Sequence, residues 1–431
     1  MTRPRILALM ALSSLVPALL AQEAPAGSVE RQGQRAVGVV HLDLTEDCAR
    51  DLEGTPLCAT PLSFDIDLQQ LDEDIATRLA APLESSFLAL VDGRGEVVSN
   101  VEVVREGALL RCFGSLPVLG AAAPRQHRLA LVEDQIRVRV FSVAAGPPAT
   151  LEVFGRPRLR SESGYDKARR EATWKAYDSL FGASGGLLTK RDGGKFPHHR
   201  GLFAGWNKVR CAGKSYDFWH GRKGETIVVV RNVSDAAIEG PVLGRRVLDL
   251  AWQDAAGRPI VGGQRRLDVQ LLGPLGHNPA LHASFPLPAA EHSVELDGDA
   301  HHAGIQVRLS NEVAENEART RSYLPKGAKP MKDDVWADAA WCALTTEVAG
   351  KAWGFVHMTL AMPSEHQYSV RPYGRFGSFC KTTLEPGKPQ DFRVRVHVID
   401  LARTPFEVSK IELATRVARG GMTARFEATK R

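Results

Sequence analysis

Phe392-Arg393-Val394-Arg395-Val396-His397-Val398-Ile399 alternates apolar with polar side chains almost throughout. A strand turns successive side chains to opposite faces, so this period predicts a strand with one face in a core and the other toward solvent. Related signals recur upstream at 226–230, 245–252, 266–272, 304–309 and 353–360, with no long helical period between them. Such a succession predicts an all-β fold, a large antiparallel β-sandwich. Two long stretches rich in charge, Gly and Pro, at 311–334 and 365–379, are expected as loops that shape a binding face.

Shorter alternating runs, such as Phe64-Asp65-Ile66-Asp67-Leu68, occupy 37–143 and predict a smaller β-rich domain. Within it, 87–104 reads as two strands folded about Asp92-Gly93-Arg94-Gly95, and a helix is expected near 71–83. Ala145-Gly146-Pro147-Pro148 cannot continue regular structure and marks a boundary. The expected organisation is a signal peptide at 1–21, an N-terminal domain at 22–147, the sandwich at 148–404 and a tail at 405–431. Helical character is expected at 409–418 of that tail.

The leader reading rests on a basic start at 2–5, an apolar run at 6–20 and the polar turn at Gln22 and Glu23. It places the mature protein in the periplasm or outside the cell. No later apolar run reaches the roughly 20 residues a membrane span needs. Six cysteines suit an oxidising compartment, and Cys48 and Cys58, close in sequence around turn-forming residues, are expected to form a local disulfide. The formal charge of +5 is spread along the chain without a basic block, which argues against a nucleic-acid partner.

The densest polar chemistry is FPHHRGLFAGWNKVRCAGKSYDFWH, from Phe196 to His220. His198, His199 and His220 are candidates for proton transfer, with Asp217 or Glu365 as the accompanying carboxylate and Asp338 as a further candidate. Trp206 and Trp219 offer stacking faces, Asn207 an amide, and Arg200 a planar fork for a carboxylate or vicinal hydroxyls, or a partner for Asp217. Adjacent strand residues face opposite sides, so His198 and His199 share a pocket only where the backbone is irregular, as Gly193-Gly194 and Pro197 predict. Gly201 and Gly205 imply a close backbone approach, and Ala212-Gly213-Lys214 a hairpin that brings the two halves side by side.

Two further segments, His301 to Arg308 and Val370 to Gly377, contribute His302, Arg308, Arg371 and Tyr373 as binding candidates if the fold gathers them on one face. No metal-ligand spacing, phosphate-binding loop, dinucleotide fingerprint or nucleophile elbow is present, so the cofactor is left unassigned.

Lys195 to Phe203, Gly205-Trp206-Asn207, Asp217-Phe218-Trp219-His220, His302 to Arg308 and Arg371-Pro372-Tyr373-Gly374 resemble a secreted bacterial family of uncharacterised function whose members are labelled "methane oxygenase PmoA". The resemblance spans roughly 156–400. It implies a β-rich fold similar to the supersandwich of galactose mutarotase-like proteins, in which a histidine and a carboxylate act as acid and base on sugars. The activity in the label is not implied, because a membrane methane monooxygenase subunit crosses the bilayer with several long apolar helices. The combined expectation is a secreted carbohydrate-active protein, a hydrolase, lyase or epimerase using His/carboxylate chemistry on a small-molecule or oligosaccharide ligand. A non-catalytic carbohydrate-binding or cell-envelope protein is one alternative. A metal-dependent oxidoreductase with ligands from His198, His199, His220 and His302 is the other.

Overall fold

The computed structural model describes residues 34–429, apart from 81–85, 93–96, 121–122, 134–140, 145–148, 154–155, 164–174, 183–184, 192, 222–225, 234–237, 240–242, 271–273 and 276–279. The leader, the expected hairpin tip at 93–95 and the Gly-Pro-Pro break lie outside the described residues. The chain divides into two compact units, one comprising 1–135 with 422–431, the other 136–421.

The first unit is built on a seven-stranded antiparallel sheet in the order Leu57–Asp67, Leu109–Leu119, Val97–Glu106, Ser86–Val91, Gln126–Glu133, Gln34–Leu44 and Met422–Ala428. Helices Glu46–Gly54 and Glu73–Ala80 accompany it. The stretch expected as one tail is thus divided. Helix Val408–Arg416 lies in the second unit, while Met422–Ala428 pairs with Gln34–Leu44 and stacks Phe426 on Phe64 at 6.4 Å. Alternating half-buried and exposed residues along Met422–Ala428 explain why it makes a strand.

The expected Cys48–Cys58 disulfide is not formed: Cys48 is a buried free thiol, as are Cys112, Cys211, Cys342 and Cys380. Cys48 and Leu52, one turn apart, are the two residues that helix Glu46–Gly54 buries, so the thiol is used in packing.

The second unit is the antiparallel sandwich. Among the described residues, its ten-stranded sheet runs in the order Lys329–Pro330, Val335–Ala337, His366–Arg371, Arg375–Cys380, Ala303–Arg308, Leu202–Trp206, Ala176–Leu180, Arg156–Ser163, Ala149–Val153 and Phe141–Ala144. Its nine-stranded sheet follows the path Thr226–Val233, Leu243–Asp254, Pro259–Gln270, Ala280–Leu287, Gln390–Asp400, Lys351–Ala361, Trp341–Val348 and Arg321–Tyr323, with Ile238–Glu239 attached. One apolar core joins them, and Trp206 of the first sheet packs against Trp252 and Phe392 of the second at 5.9 and 5.7 Å.

Two expectations are corrected here. Strand Gln390–Asp400 is not half exposed, because Arg395 and His397 are buried. It is an interior strand, and Arg395 lies in register beside His282, which lies beside Asp268. Asp268 accepts both Nε and Nη2 of buried Arg245 at 2.6 and 2.7 Å. Polar alternation therefore marks a buried polar row, in which Arg245 and Asp268 are paired while His282 Nε2, Arg395 Nε and His397 Nε2 have no acceptor or donor among the described residues. The stretch 365–379 is not a loop either: it is the hairpin His366–Arg371 with Arg375–Cys380, turning at Pro372-Tyr373-Gly374 where Gly374 takes φ 81°. The stretch 311–334 holds helix Asn311–Glu315 and strands Arg321–Tyr323 and Lys329–Pro330.

Burial holds His357 and His397 down to about 3, with His366 and Arg395 respectively adding to the effect. Below the ordinary histidine range the unfolded chain then takes up protons that the folded one refuses. Stability is expected to fall as pH drops from about 6.5 toward 3, by up to roughly 1.4 kcal/mol per pH unit for each histidine. Urea titrations across that window check this, and a slope unchanged in His357→Phe would remove His357 from the account.

Candidate functional site

Strand Leu202–Trp206 organises the site by its alternation. Leu202, Ala204 and Trp206 enter the core between the sheets, whereas Phe203 joins a separate buried cluster with Tyr177 and Trp219. Trp206 is therefore a core residue and not a stacking surface, with its Nε1 donating to Cys380 O at 2.9 Å. On the neighbouring strand Ile305 and Val307 join the core, so Gly304, Gln306 and Arg308 share the opposite face with Phe203. A Cβ on Gly205 would lie 2.7 Å from Phe218 O, and one on Gly201 would lie 2.1 Å from Asp178 O. Both glycines thus permit the close approach their positions predict.

The hairpin Lys208–Cys211 with Lys214–Tyr216 turns at Ala212 and Gly213, both with positive φ, and returns the chain so that Phe218 N donates to Trp206 O at 2.9 Å. Asp217 then closes a tight turn: Oδ1 accepts from Trp219 N and His220 N at 3.0 and 2.9 Å, and Oδ2 lies 2.7 Å from His220 Nδ1. Asp299 repeats the device, accepting from His301 N at 2.8 Å and lying 3.0 Å from His302 Nδ1. A carboxylate on Nδ1 fixes the tautomer and leaves Nε2 as the working nitrogen.

His198 and His199 both reach this site because their loop is irregular, with Phe196 at φ 58° and Gly193 and Gly194 also positive. The histidines form a row of ring contacts: His199 to His198 at 4.3 Å, His198 to His220 at 4.5 Å, His220 to His302 at 5.4 Å. Aromatic rings flank it, with Trp219 at 5.4 Å and Phe196 at 5.3 Å from His199, and Tyr373 at 5.0 Å from Phe196.

Beneath the row lies a set of buried cations, Lys175, Lys190, Arg200, Arg308 and Arg375, none more than 1% exposed. Lys175 donates to Trp219 O and sits 4.0 Å from the Phe203 ring centroid. Arg375 donates to His301 O at 3.0 Å, Ser369 Oγ at 2.8 Å and Tyr373 Oη at 3.1 Å. Lys190 Nζ donates to His199 O at 3.3 Å. Arg200, fully buried, donates to Pro197 O at 2.9 Å and so braces the loop that carries His198 and His199. Arg371 pairs with Asp334 at 2.8 Å and contacts His301 at the rim.

Burial and this cationic setting keep His198 and His199 neutral. His198 is pushed down to about 2 by burial, then by Lys175 and His220. His199 is held well below the usual histidine range by burial, His198 and Arg375. Burial likewise drives Lys175 well below the ordinary lysine range; Asp217 opposes this, and Arg200 and Lys190 reinforce it.

Besides Trp206, one expected member lies apart from this set. Glu365 is exposed on the wall of a neighbouring cleft of about 1020 Å³, with Asp338, His366, Lys381 and Arg419, and no described hydrogen bond or ion pair joins it to the histidine row. Asn207 meets the row through its backbone, its N donating to His302 O at 2.9 Å. Among the described residues no three His, Cys, Asp or Glu side chains converge as a metal ion requires. Sequence reasoning passed over Asp299, Arg375, Lys175 and Lys190. Asp299 had a signal, since Asp217-Phe218-Trp219-His220 and Asp299-Ala300-His301-His302 share the spacing D-x-x-H.

Fold and site together define an all-β sandwich protein that carries a row of histidines over buried cations on the face of one sheet turned away from the core. Residues 149–411 match a family described as "Family of unknown function (DUF6807)", and the chain belongs to that family. No curated protein matches the chain. Among solved structures, a "Putative kojibiose phosphorylase from human microbiome" aligns at 10% identity over 66% of this chain, with a TM-score of 0.29. The chain spans 37% of that protein's length.

Proposed function

We propose that this chain is a secreted carbohydrate-active protein that processes a sugar or glycoside by proton transfer at the histidine row. The observation that carries the reading is the pair of carboxylate-anchored histidines in direct ring contact, His220 on Asp217 and His302 on Asp299, with neutral His198 against His220 and aromatic rings on the flank. An imidazole held through Nδ1 exchanges its proton at Nε2, and the carboxylate stabilises the imidazolium as it forms. Two such groups 5.4 Å apart can serve the donating and accepting ends of one transfer. Phe196, 37% exposed and beside Tyr373, offers the apolar ring face on which a pyranose packs.

A thermal-shift screen of the chain from Gln22 onward against mono- and oligosaccharides tests this, with His220→Ala in parallel. A sugar at a hundred times its dissociation constant stabilises by about 2.7 kcal/mol. The expected result is a sugar-specific shift in the wild type, with the same sugar converted by the wild type and not by His220→Ala. Binding without conversion would favour the non-catalytic reading, and no shift with any sugar would sink both.

A further inference from the structure

The guanidinium of Arg308 is only half used by the protein. Nη1 donates to Leu309 O at 2.9 Å and to Tyr373 O. Nε and Nη2, which form the side-on edge of the group, are buried and meet no acceptor among the described residues. Arg245 shows what that edge suits, since its own Nε and Nη2 grip both carboxylate oxygens of Asp268. Such bidentate, charge-assisted pairs are the strong hydrogen bonds of proteins. A buried cationic edge without an acceptor is correspondingly costly.

The surroundings repeat the deficit. Trp219 Nε1 and both ring nitrogens of His199 are also buried without a hydrogen-bonding partner among the described residues. These groups are neighbours: the Arg308 guanidinium lies 5.1 Å from the Tyr373 ring centroid, and His199 lies 6.3 Å from Tyr373 and 5.4 Å from Trp219. Charge points the same way: Lys190, Arg200, Arg308 and Arg375 are buried around two carboxylates, Asp217 and Asp299, that are each engaged by a histidine, and Glu317, which also acts on Arg308, is paired with Lys195. Burial, with Arg375 close by, already lowers Arg308 to about 10.

Resting on the sugar-processing reading above, we infer that the sugar carries an oxyanion group, a carboxylate or a sulfate or phosphate ester, which docks on the Nε/Nη2 edge of Arg308 with Trp219 Nε1 as a further donor. The anion supplies the acceptor that the protein withholds and offsets the positive excess beneath the histidines. The ring of Tyr373, at the turn of its hairpin, lies over the guanidinium.

Calorimetric titration of the mature chain tests the inference, using glucuronate against glucose, galacturonate against galactose, glucose 6-sulfate, glucose 6-phosphate, sodium sulfate and sodium acetate. Acidic sugars are expected to bind at least about tenfold tighter than their neutral parents. Arg308→Lys keeps the charge and loses the fork, and is expected to erase most of that preference. Trp219→Phe, which keeps a ring and removes the donor, provides a second variant should the first fail to fold, and is expected to weaken acidic-sugar binding severalfold. Equal affinity for acidic and neutral sugars, a preference retained in both variants, or no binding of any anion overturns the inference. Binding of neutral sugars alone overturns it while the sugar reading stands. Arg308-dependent binding of sulfate or acetate with no sugar bound does the reverse, supporting the anion site and sinking the sugar reading. Selectivity between glucuronate and the two esters identifies the group.

Discussion

Gly304→Ala is expected to remove about 4 kcal/mol of stability from the sandwich, which leaves only about 1 kcal/mol, and an appreciable unfolded population, if it starts near the lower end of the usual 5 to 15 kcal/mol. Gly304 sits in mid-strand with φ 101°, where a Cβ would lie 2.2 Å from Ser378 O and 2.5 Å from Phe379 Cβ. Neither neighbour yields cheaply, because Ser378 belongs to the paired strand opposite Ile305. The left-handed conformation alone costs an L-residue roughly 1 to 2 kcal/mol. Gly257→Ala separates the two effects, since Gly257 has φ 80° with open space around it. It should lose only the backbone part, about 1 to 2 kcal/mol, on urea denaturation. Equal losses at the two positions would show that the clash is relieved and that strain is the whole cost.

His220→Ala is expected to reduce turnover of the sugar identified by the thermal screen by about 10² to 10⁴, the usual worth of a positioned acid or base. The melting temperature should change little, because the His220 side chain is partly exposed and its Nδ1 contact is to Asp217. Asp217→Asn should fall almost as far, since an amide facing Nδ1 favours the wrong tautomer. It keeps an oxygen for the backbone donors of Trp219 and His220, so the turn should survive. Steady-state kinetics decide the matter. A turnover number preserved in His220→Ala would remove His220 from proton transfer and leave it a binding residue.

Period-two patterning located the sandwich strands because their core face is nearly uniform in chemistry, as along Gln390–Asp400. The opposite faces misled, since Arg395 and His397 look like solvent-facing residues and are buried in a polar row. Exposure depends on what covers a sheet, which one strand does not record. The same limit explains Trp206: beside Asn207 in a histidine-rich segment it reads as a sugar platform, yet its parity along the strand with Leu202 and Ala204 sends it into the core. Four histidines of the site were legible because a loop and two turns concentrate them. Lys175, Lys190 and Arg375 were not, because each comes from a different strand or loop and only the pairing of sheet neighbours assembles them. Glu365 lies close in sequence to a site strand but opens on a cleft that Asp299, and none of the four histidines, borders.

The pairing of Met422–Ala428 with Gln34–Leu44 has a consequence for how the chain is made. The small unit is interrupted by the whole of 136–421, and a strand of its sheet, Met422–Ala428, is synthesised only after that insert. During translation the first six strands must wait, with the edge of Gln34–Leu44 open, until the entire sandwich has emerged from the ribosome. An open edge of that length is a template for pairing with another nascent copy. The yield of correctly paired molecules should therefore depend on how quickly the large insert folds and delivers Met422–Ala428.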